Sequence, residues 1–156
     1  MRNLNSYDLI ISDIDNTIIY GPWTELMHHT WNLFRSDWFS AVLMTLQQFF
    51  KIYKVNMKLY YMLKCCDVPI VFLTVRKSCP ATTEMLYDIM GRTPFGLIEL
   101  ATDYGAEQKA EVVERYLDRF PNILFIDDNK RIRDNVAGLE VDTLDPVLLR
   151  EKKSCL

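Results

Sequence analysis

The hydrophobic positions of the chain fall into short, near-continuous runs, separated by longer segments with helical periodicity. The runs occupy residues 7–12, 69–74, 95–100, 122–127 and, more weakly, 139–143. Strands of a parallel sheet are buried on both faces, so their sequences show continuous apolar runs rather than alternation. Because strands and helices alternate along the chain, the pattern predicts an α/β domain with a Rossmann-like, doubly wound parallel sheet of about five strands.

Two of the segments between the runs carry clear helix signals. One apolar stripe ends just before Gly91 and a second ends just before Pro121, and both residue types typically terminate helices. The stripes consist of Met85, Leu86, Ile89 and Met90, and of Val112, Val113, Tyr116, Leu117 and Phe120. They predict helices that connect consecutive strands of the sheet.

The segment from residue 23 to about residue 55 does not fit this alternation, because it is rich in aromatic residues and has helical periodicity throughout. We predict a helical insertion after the first strand, within a single domain of residues 1–156. Its larger rings would together exceed the apolar patch of about 300–600 Å² that a soluble monomer leaves exposed. We therefore expect them to be buried, either in a small cap or in a homodimer contact, and we favour packing inside the molecule with some contact to a second copy of the chain. These rings belong to Trp31, Phe34, Trp38, Phe39, Phe49 and Phe50.

Composition and charge narrow the functional classes. The chain has 156 residues, 49% of them hydrophobic and 25% charged, which is typical of a folded globular domain rather than a disordered one. A net charge of −3 argues against a protein that coats nucleic acid regardless of sequence. The 4 cysteines form no Cys-x-x-Cys pair and no apolar stretch approaches the length of a membrane span, so we expect a cytoplasmic protein without membrane contact.

Side chains with catalytic chemistry cluster where the predicted strands end. Open α/β sheets bind ligands outside the carboxyl ends of their strands. Carboxylates that converge there repel one another unless a cation is present, and Mg²⁺ prefers oxygen ligands from carboxylates, water and phosphate. The residues at these ends are Asp13 and Asp15 after the first strand, Thr74 and Arg76 after the second, and Asp127 and Asp128 after the fourth.

Each of these residue types also has an ordinary structural interpretation. An Asp-x-Asp pair is common in turns, a threonine is common in strands, and a lysine on a helix, such as Lys109, is usually solvated. Adjacent aspartates often cap the helix that follows them. A calcium-binding EF-hand loop is excluded, because Ile18 occupies the glycine position and Thr24 the position of the bidentate glutamate. Only the order and position of the whole set favour chemistry over these alternatives.

Taken together, the set resembles the four motifs of the haloacid dehalogenase-like (HAD) phosphohydrolase superfamily. The matching elements are Asp13-x-Asp15-x-Thr17, Thr74, Lys109 and Asp127-Asp128, which span residues 13–128 in the order of that family. A phospho-accepting receiver domain also uses Asp, Thr and Lys. Its acceptor aspartate ends the third strand, however, and this chain has Glu99-Leu100-Ala101 there.

The resemblance implies a Mg²⁺-dependent phosphatase and a role for each motif residue. Asp13 would attack phosphorus and form an aspartyl-phosphate, and Asp15 would act as the general acid and base. Thr74 and Lys109 would hold phosphate oxygens. Mg²⁺ would be held by the Asp13 carboxylate, the main-chain carbonyl of Asp15 and Asp128, with Asp127 in support.

A narrower resemblance concerns the substrate. The elements Thr74-x-Arg76, 105–109 and 125–128 are similar to the 3′-phosphatase domain of bacteriophage-type polynucleotide kinases. This similarity implies that Arg76 binds phosphate or a neighbouring backbone charge, and that the substrate is a nucleotide or a nucleic-acid 3′-phosphate. No Gly-x-x-x-x-Gly-Lys loop is present, so no kinase half is expected. A locally positive rim would be formed by Arg76, Lys77, Lys130, Arg131 and Arg133.

Other functions stay open at the level of sequence. An insertion that closes over the site would favour small phosphoesters such as sugar phosphates, whereas one that packs aside would leave room for a polymer end or a phosphoprotein. The alternative from another class is a non-catalytic module that keeps the HAD fold and binds a partner through the Trp- and Phe-rich insertion. It is disfavoured because all motif residues are present, and a cluster of carboxylates is costly to bury for packing alone.

Overall fold

A parallel sheet between two layers of helices organises the chain. The computed structural model describes residues 3–24, 37–76, 80–91, 95–100 and 105–150. The strands in these ranges are β1 (Leu9–Ser12), β2 (Ile19–Tyr20), β3 (Lys54–Val55), β4 (Ile70–Thr74), β5 (Gly96–Glu99), β6 (Ile123–Ile126) and β7 (Asp142–Leu144). The helices include α1 (Asp37–Phe49), α2 (Met57–Lys64), α3 (Pro80–Met90), α4 (Gly105–Leu117) and α5 (Lys130–Ala137). Short 3-10 helices cover Leu4–Ser6 and Pro146–Leu149.

The strand order confirms the predicted fold class. The 5-stranded sheet has the order β5-β4-β1-β6-β7, and neighbouring strands run parallel. Counted along the chain, its strands stand in the order 3-2-1-4-5, which is that of Rossmann-like doubly wound sheets. The first four hydrophobic runs contain the first four strands of this sheet, which are β1, β4, β5 and β6. The last strand, Asp142–Leu144, starts later than the weak run at 139–143 that predicted it.

Both faces of the sheet are buried, which explains the continuous apolar runs. Successive residues of a strand point to opposite faces, so Ile10 of β1 joins one hydrophobic layer and Ile11 joins the other. The first layer contains side chains of α2 and α3, and the second contains side chains of α4 and α5. Every position of β1, β4 and β6 is therefore buried.

The insertion begins and ends at a small antiparallel pair of strands. β2 and β3 align Ile19 with Val55, so the two ends of the intervening segment lie side by side. The predicted helix is confirmed for Asp37–Phe49. Lys54–Val55, however, is a strand rather than the end of a helix. Residues 25–36, which include two of the predicted packing aromatics, lie outside the described ranges.

The favoured expectation, that the aromatic rings of the insertion pack inside the molecule, is wrong for Trp38, Phe49 and Phe50, and contact with a second copy of the chain stays a prediction. Trp38 is 73% exposed, Phe49 77% and Phe50 61%. The helix α1 instead packs on α3 through smaller side chains, with Met44 against Ala81. Met44 and Gln47 lie one turn apart and are both buried, so the buried face of the helix is a narrow stripe that leaves the large rings on the solvent side.

Two further expectations concern membranes and thiols. Of the helices in the described part of the chain, none combines the length and the apolar character that crossing a bilayer requires. Cys65 is exposed and Cys66 is buried. The other cysteines lie outside the described residues.

Candidate active site

The motif residues converge at the carboxyl ends of three adjacent strands. Asp13 follows the central strand β1, Thr74 ends β4 on one side, and Asp127 follows β6 on the other side. The amide of Asp13 donates to the carbonyl of Ile126 at 2.8 Å, which ties the first motif to β6. At this point the chain switches from building one half of the sheet to building the other, and open α/β sheets bind ligands at such switch points.

A tight turn after β1 presents the first motif. The carbonyl of Ile14 accepts from the amides of Thr17, Ile18 and Ile19 at 3.2, 3.0 and 3.1 Å. Asn16 adopts the left-handed region with φ of 53°, a conformation that asparagine tolerates better than most residues. The turn therefore holds its residues in one defined geometry.

Two side chains from distant parts of the sequence brace this turn. Asn56 donates from Nδ2 to the carbonyls of Thr17 at 3.4 Å and Pro146 at 3.0 Å. Arg150 donates from Nη2 to the carbonyl of Asn16, and its guanidinium lies 4.7 Å from the centre of the Tyr20 ring. No periodicity or spacing in the sequence pointed to either residue, because their contacts depend on the packing of the C-terminal segment beside β2 and β3.

Lys109 lies in the middle of the site. It projects from α4 and is only 2% exposed, in contrast to the solvated lysine that a helix position usually predicts. Its Nζ donates to Oδ1 of Asp13 and to Oδ2 of Asp127, both at 2.7 Å. Burial lowers the pKa of Lys109, but these two carboxylates outweigh it and hold the pKa above its ordinary value. The side chain therefore carries a positive charge at neutral pH.

The aspartates of the site can carry more negative charge than the single ammonium of Lys109 neutralises. Burial, partly offset by Lys109 and reinforced by Asp127, raises the pKa of Asp13 to about 8. Burial and the neighbouring Asp127 raise the pKa of Asp128 to about 6. Both shifts indicate carboxyl groups that are short of positive charge, and a divalent cation would favour their ionised forms.

The carboxylates are arranged so that they could share such a cation. Oxygens of Asp13, Asp127 and Asp128 all lie within 4.8 Å of one another. Both oxygens of Asp127 already accept hydrogen bonds, one from Lys109 and the other from the amide of Asn129 at 2.8 Å. Asp128 is therefore the better placed direct ligand, with Asp127 in support. An all-oxygen donor set of this kind fits Mg²⁺.

Asp15 is held by Arg76 in a two-pronged ion pair. Nε and Nη2 of Arg76 donate to Oδ2 and Oδ1 of Asp15, each at 2.6 Å. Arg76 is buried and its Nη2 also donates to Oε1 of Gln47 at 3.0 Å. The guanidinium, which the resemblance assigns to phosphate, thus lies against Asp15 in this structure. Bidentate pairs of this type fix the plane and direction of a carboxylate.

The hydroxyl of Thr74 accepts a hydrogen bond and can still donate one. The side chain is buried, and its Oγ1 accepts from the amide of Arg76 at 3.3 Å. A hydroxyl that accepts one hydrogen bond can still donate its own proton, as contact with a phosphate oxygen would require.

The expected positive rim is less positive than its sequence suggests. Lys130 and Arg131 are exposed but bond to carboxylates at 2.6 and 2.8 Å. Arg133 bonds to a carboxylate at 2.7 Å, and Arg76 is paired as described above. Lys77 lies outside the described residues. These pairs reduce the local field that the cations would otherwise produce.

Gln47, like Asn56 and Arg150, is a residue of the site that the sequence did not indicate. It is wholly buried on α1, in a stretch where aromatic residues dominated the interpretation. The one available signal was a polar side chain three positions after Met44, on the face that packs against α3.

The sheet also distinguishes the site from that of a receiver domain. Flavodoxin-like sheets, which include receivers, have the order 2-1-3-4-5. Here the third strand of the parallel sheet along the chain, β5, lies at the sheet edge beside β4, and Glu99 ends it. The carboxylate cluster is instead built on β1 and β6.

Comparisons with known proteins add no relative from which a role could be transferred. No family model, curated protein or solved structure matches the chain.

Proposed function

We propose that the protein is a Mg²⁺-dependent phosphomonoesterase that works through an aspartyl-phosphate on Asp13. One observation carries the proposal: the buried ammonium of Lys109 is shared between Asp13 and Asp127 at the switch point of the sheet. Asp128 completes an oxygen cluster beside it. Three carboxylates and one ammonium are thus brought together, and packing alone gives no reason for burying so many charges.

The first chemical step transfers the phosphoryl group to the protein. A carboxylate oxygen of Asp13 attacks phosphorus, the bond from phosphorus to the leaving oxygen breaks, and that oxygen takes its electron pair and a proton from Asp15. Lys109 keeps Oδ1 of Asp13 oriented, and together with Thr74 it donates to the phosphoryl oxygens. Asp13, the Asp15 carbonyl and Asp128, with Asp127 in support, would hold Mg²⁺, which when bound would supply charge neutralisation of the phosphoryl group.

The second step restores the enzyme. Asp15, now ionised, takes a proton from water, whose oxygen attacks phosphorus. The bond between phosphorus and Asp13 breaks and returns the carboxylate with release of inorganic phosphate. Arg76 orients Asp15 for both proton transfers, since its two donors hold the carboxylate plane.

A non-catalytic binding module is the second candidate. The exposed rings of Trp38, Phe49 and Phe50 on the insertion favour it, because large aromatic side chains on a surface are typical of interaction sites. The two proposals differ in what they require of the carboxylate cluster. Only the phosphatase requires a metal ion for turnover.

We expect the protein to hydrolyse p-nitrophenyl phosphate in the presence of Mg²⁺. The activity should be lost in excess chelator and should return when Mg²⁺ is added back. Bound Mg²⁺ should also raise the melting temperature, because a ligand at about 100 times its Kd stabilises the folded state by about 2.7 kcal/mol. Activity assays and thermal denaturation, each with and without chelator, measure both effects. If Mg²⁺ produces no hydrolysis and no thermal shift, the phosphatase proposal fails and the binding module is favoured.

A nucleotide or a nucleic-acid 3′-phosphate is expected to be the preferred substrate class. The support is the similarity of Thr74-x-Arg76 and of the motif around Asp127 to 3′-phosphatase domains. A panel at fixed salt would compare a 3′-phosphorylated oligonucleotide, its 5′-phosphorylated isomer as matched control, 3′-mononucleotides and sugar phosphates. We expect kcat/KM for the 3′-phosphates to be higher by about tenfold, or about 1.4 kcal/mol. An equal advantage for sugar phosphates would contradict the assignment.

A further inference from the structure

We propose that Gln47 is a positioning residue that sets the orientation of Asp15 through Arg76, so that the insertion takes part in the proton-transfer step. The inference rests on the role of Asp15 in the proposed function. It assigns to the insertion a task other than covering the site or contacting a partner.

The three side chains form a continuous relay. Oε1 of Gln47 accepts from Nη2 of Arg76 at 3.0 Å, and the same Nη2 donates to Oδ1 of Asp15 at 2.6 Å. A guanidinium is planar, so an acceptor that fixes one Nη2 hydrogen also fixes the plane in which Nε and Nη2 meet the carboxylate. The contact with Gln47 therefore limits rotation of the pair that Arg76 forms with Asp15.

Burial leaves the Gln47 amide little choice of orientation. The side chain is 0% exposed, and Met44, one turn earlier on α1, packs on α3. Arginine has only donors, so the oxygen of the amide, and not its nitrogen, must face Arg76. The insertion thus delivers one hydrogen-bond acceptor to the guanidinium from a helix that is fixed against the body of the protein.

The amide is poorly explained by packing alone. Its Nε2 is buried and finds no acceptor in the described part of the chain. A buried donor without an acceptor disfavours folding, and methionine or leucine would fill the same space without that disadvantage. A role in orienting Arg76 gives a reason for an amide at this position.

Replacing Gln47 by methionine keeps the shape and removes the acceptor. Two phosphomonoesters distinguish the consequences, because p-nitrophenolate leaves without being protonated whereas an alkoxide needs the proton of Asp15. For Gln47→Met we expect kcat/KM for an alkyl phosphate to fall by about tenfold, part of the 10²–10⁴-fold that a positioned acid supplies. For p-nitrophenyl phosphate we expect less than about a twofold change, and the melting temperature should not fall.

Gln48→Met is the matched control, one position further along α1. The amide of Gln48 bonds to the carboxylate of Asp88 at 3.0 Å and to the hydroxyl of Tyr53 at 3.5 Å, and neither residue belongs to the relay, so this variant should leave the ratio between the two substrates unchanged. An equal loss on both substrates in Gln47→Met, or no loss on either, would overturn the positioning role.

A measurement without substrate separates this inference from the phosphatase proposal. The Nε–H of Arg76 is buried against Asp15, so its NMR signal should exchange slowly with solvent in the parent chain and faster in Gln47→Met. If the parent hydrolyses neither phosphoester, the phosphatase proposal fails. Faster exchange of the Arg76 Nε–H in Gln47→Met than in the parent would still support the relay. An unchanged exchange rate would refute the relay whatever the activity.

Discussion

Replacing Asp13 by asparagine is expected to abolish turnover of phosphomonoesters while leaving the fold intact. The amide has nearly the shape of the carboxylate, so it fits the same buried position, but it cannot form an acyl-phosphate by attack on phosphorus. Loss of a nucleophile typically lowers kcat by at least about 10⁴-fold. The measurement is hydrolysis of p-nitrophenyl phosphate with saturating Mg²⁺, beside a thermal melt of the same sample.

The same variant should change how stability depends on pH. The pKa of Asp13 is raised to about 8 in the folded chain, so unfolding releases a proton between about pH 4 and pH 8. Stability contributed by the protonated group is therefore lost as pH rises through this window. Asparagine has no such proton, so in chelator the melting temperature of Asp13→Asn should gain on the parent between pH 5 and pH 8.

Asp8→Asn provides a control at the opposite end of the same strand. Its carboxylate is exposed and accepts hydrogen bonds from the amide of Asn122 at 3.0 Å and from its side chain at 2.9 Å. The control should retain activity and the pH profile of the parent. Activity near that of the parent in Asp13→Asn would contradict the proposed nucleophile, and with it the mechanism.

The sheet could be predicted from sequence because its signals are local and physical. Burial on both faces makes each strand a short apolar run, and the parallel arrangement sends every carboxyl end to the same edge. From those two facts, Asp13, Thr74 and Asp127 had to lie near one another once their strands were neighbours. The position of Lys109 needed the resemblance as well, since one lysine on a helix carries no such constraint.

Partners within the site could not be predicted, because they depend on how distant elements pack. The ion pair between Arg76 and Asp15 joins residues 61 positions apart in sequence, and a choice between Asp15 and phosphate as partner is not encoded locally. The insertion is fixed by β2 and β3, two strands of 2 residues each that show no periodicity. Its aromatic stripes therefore suggested burial of the rings, whereas Met44 and Gln47 form the contact face.

The second large effect is expected from Lys109→Met, which should lower both stability and activity. Removing the ammonium leaves Asp13 and Asp127 facing each other in a buried site without the cation that both of them contact at 2.7 Å. Removing one member of a buried ionic cluster typically costs about 3–5 kcal/mol of unfolding free energy. Hydrolysis should fall with it, because the nucleophile loses the group that orients it and the phosphoryl oxygens lose a donor.

Urea denaturation in chelator and hydrolysis with Mg²⁺ measure these two losses, and the exposed Lys130→Met provides the comparison. Lys130 bonds to Asp134 at 2.6 Å on the surface, where such pairs contribute about 0–1 kcal/mol. A chain that already carries Asp13→Asn has one carboxylate fewer in the cluster, so less repulsion remains when the ammonium is removed. Lys109→Met should therefore destabilise the Asp13→Asn variant less than it destabilises the parent. A Lys109→Met protein as stable and as active as Lys130→Met would show that the ammonium does not hold the carboxylate cluster together.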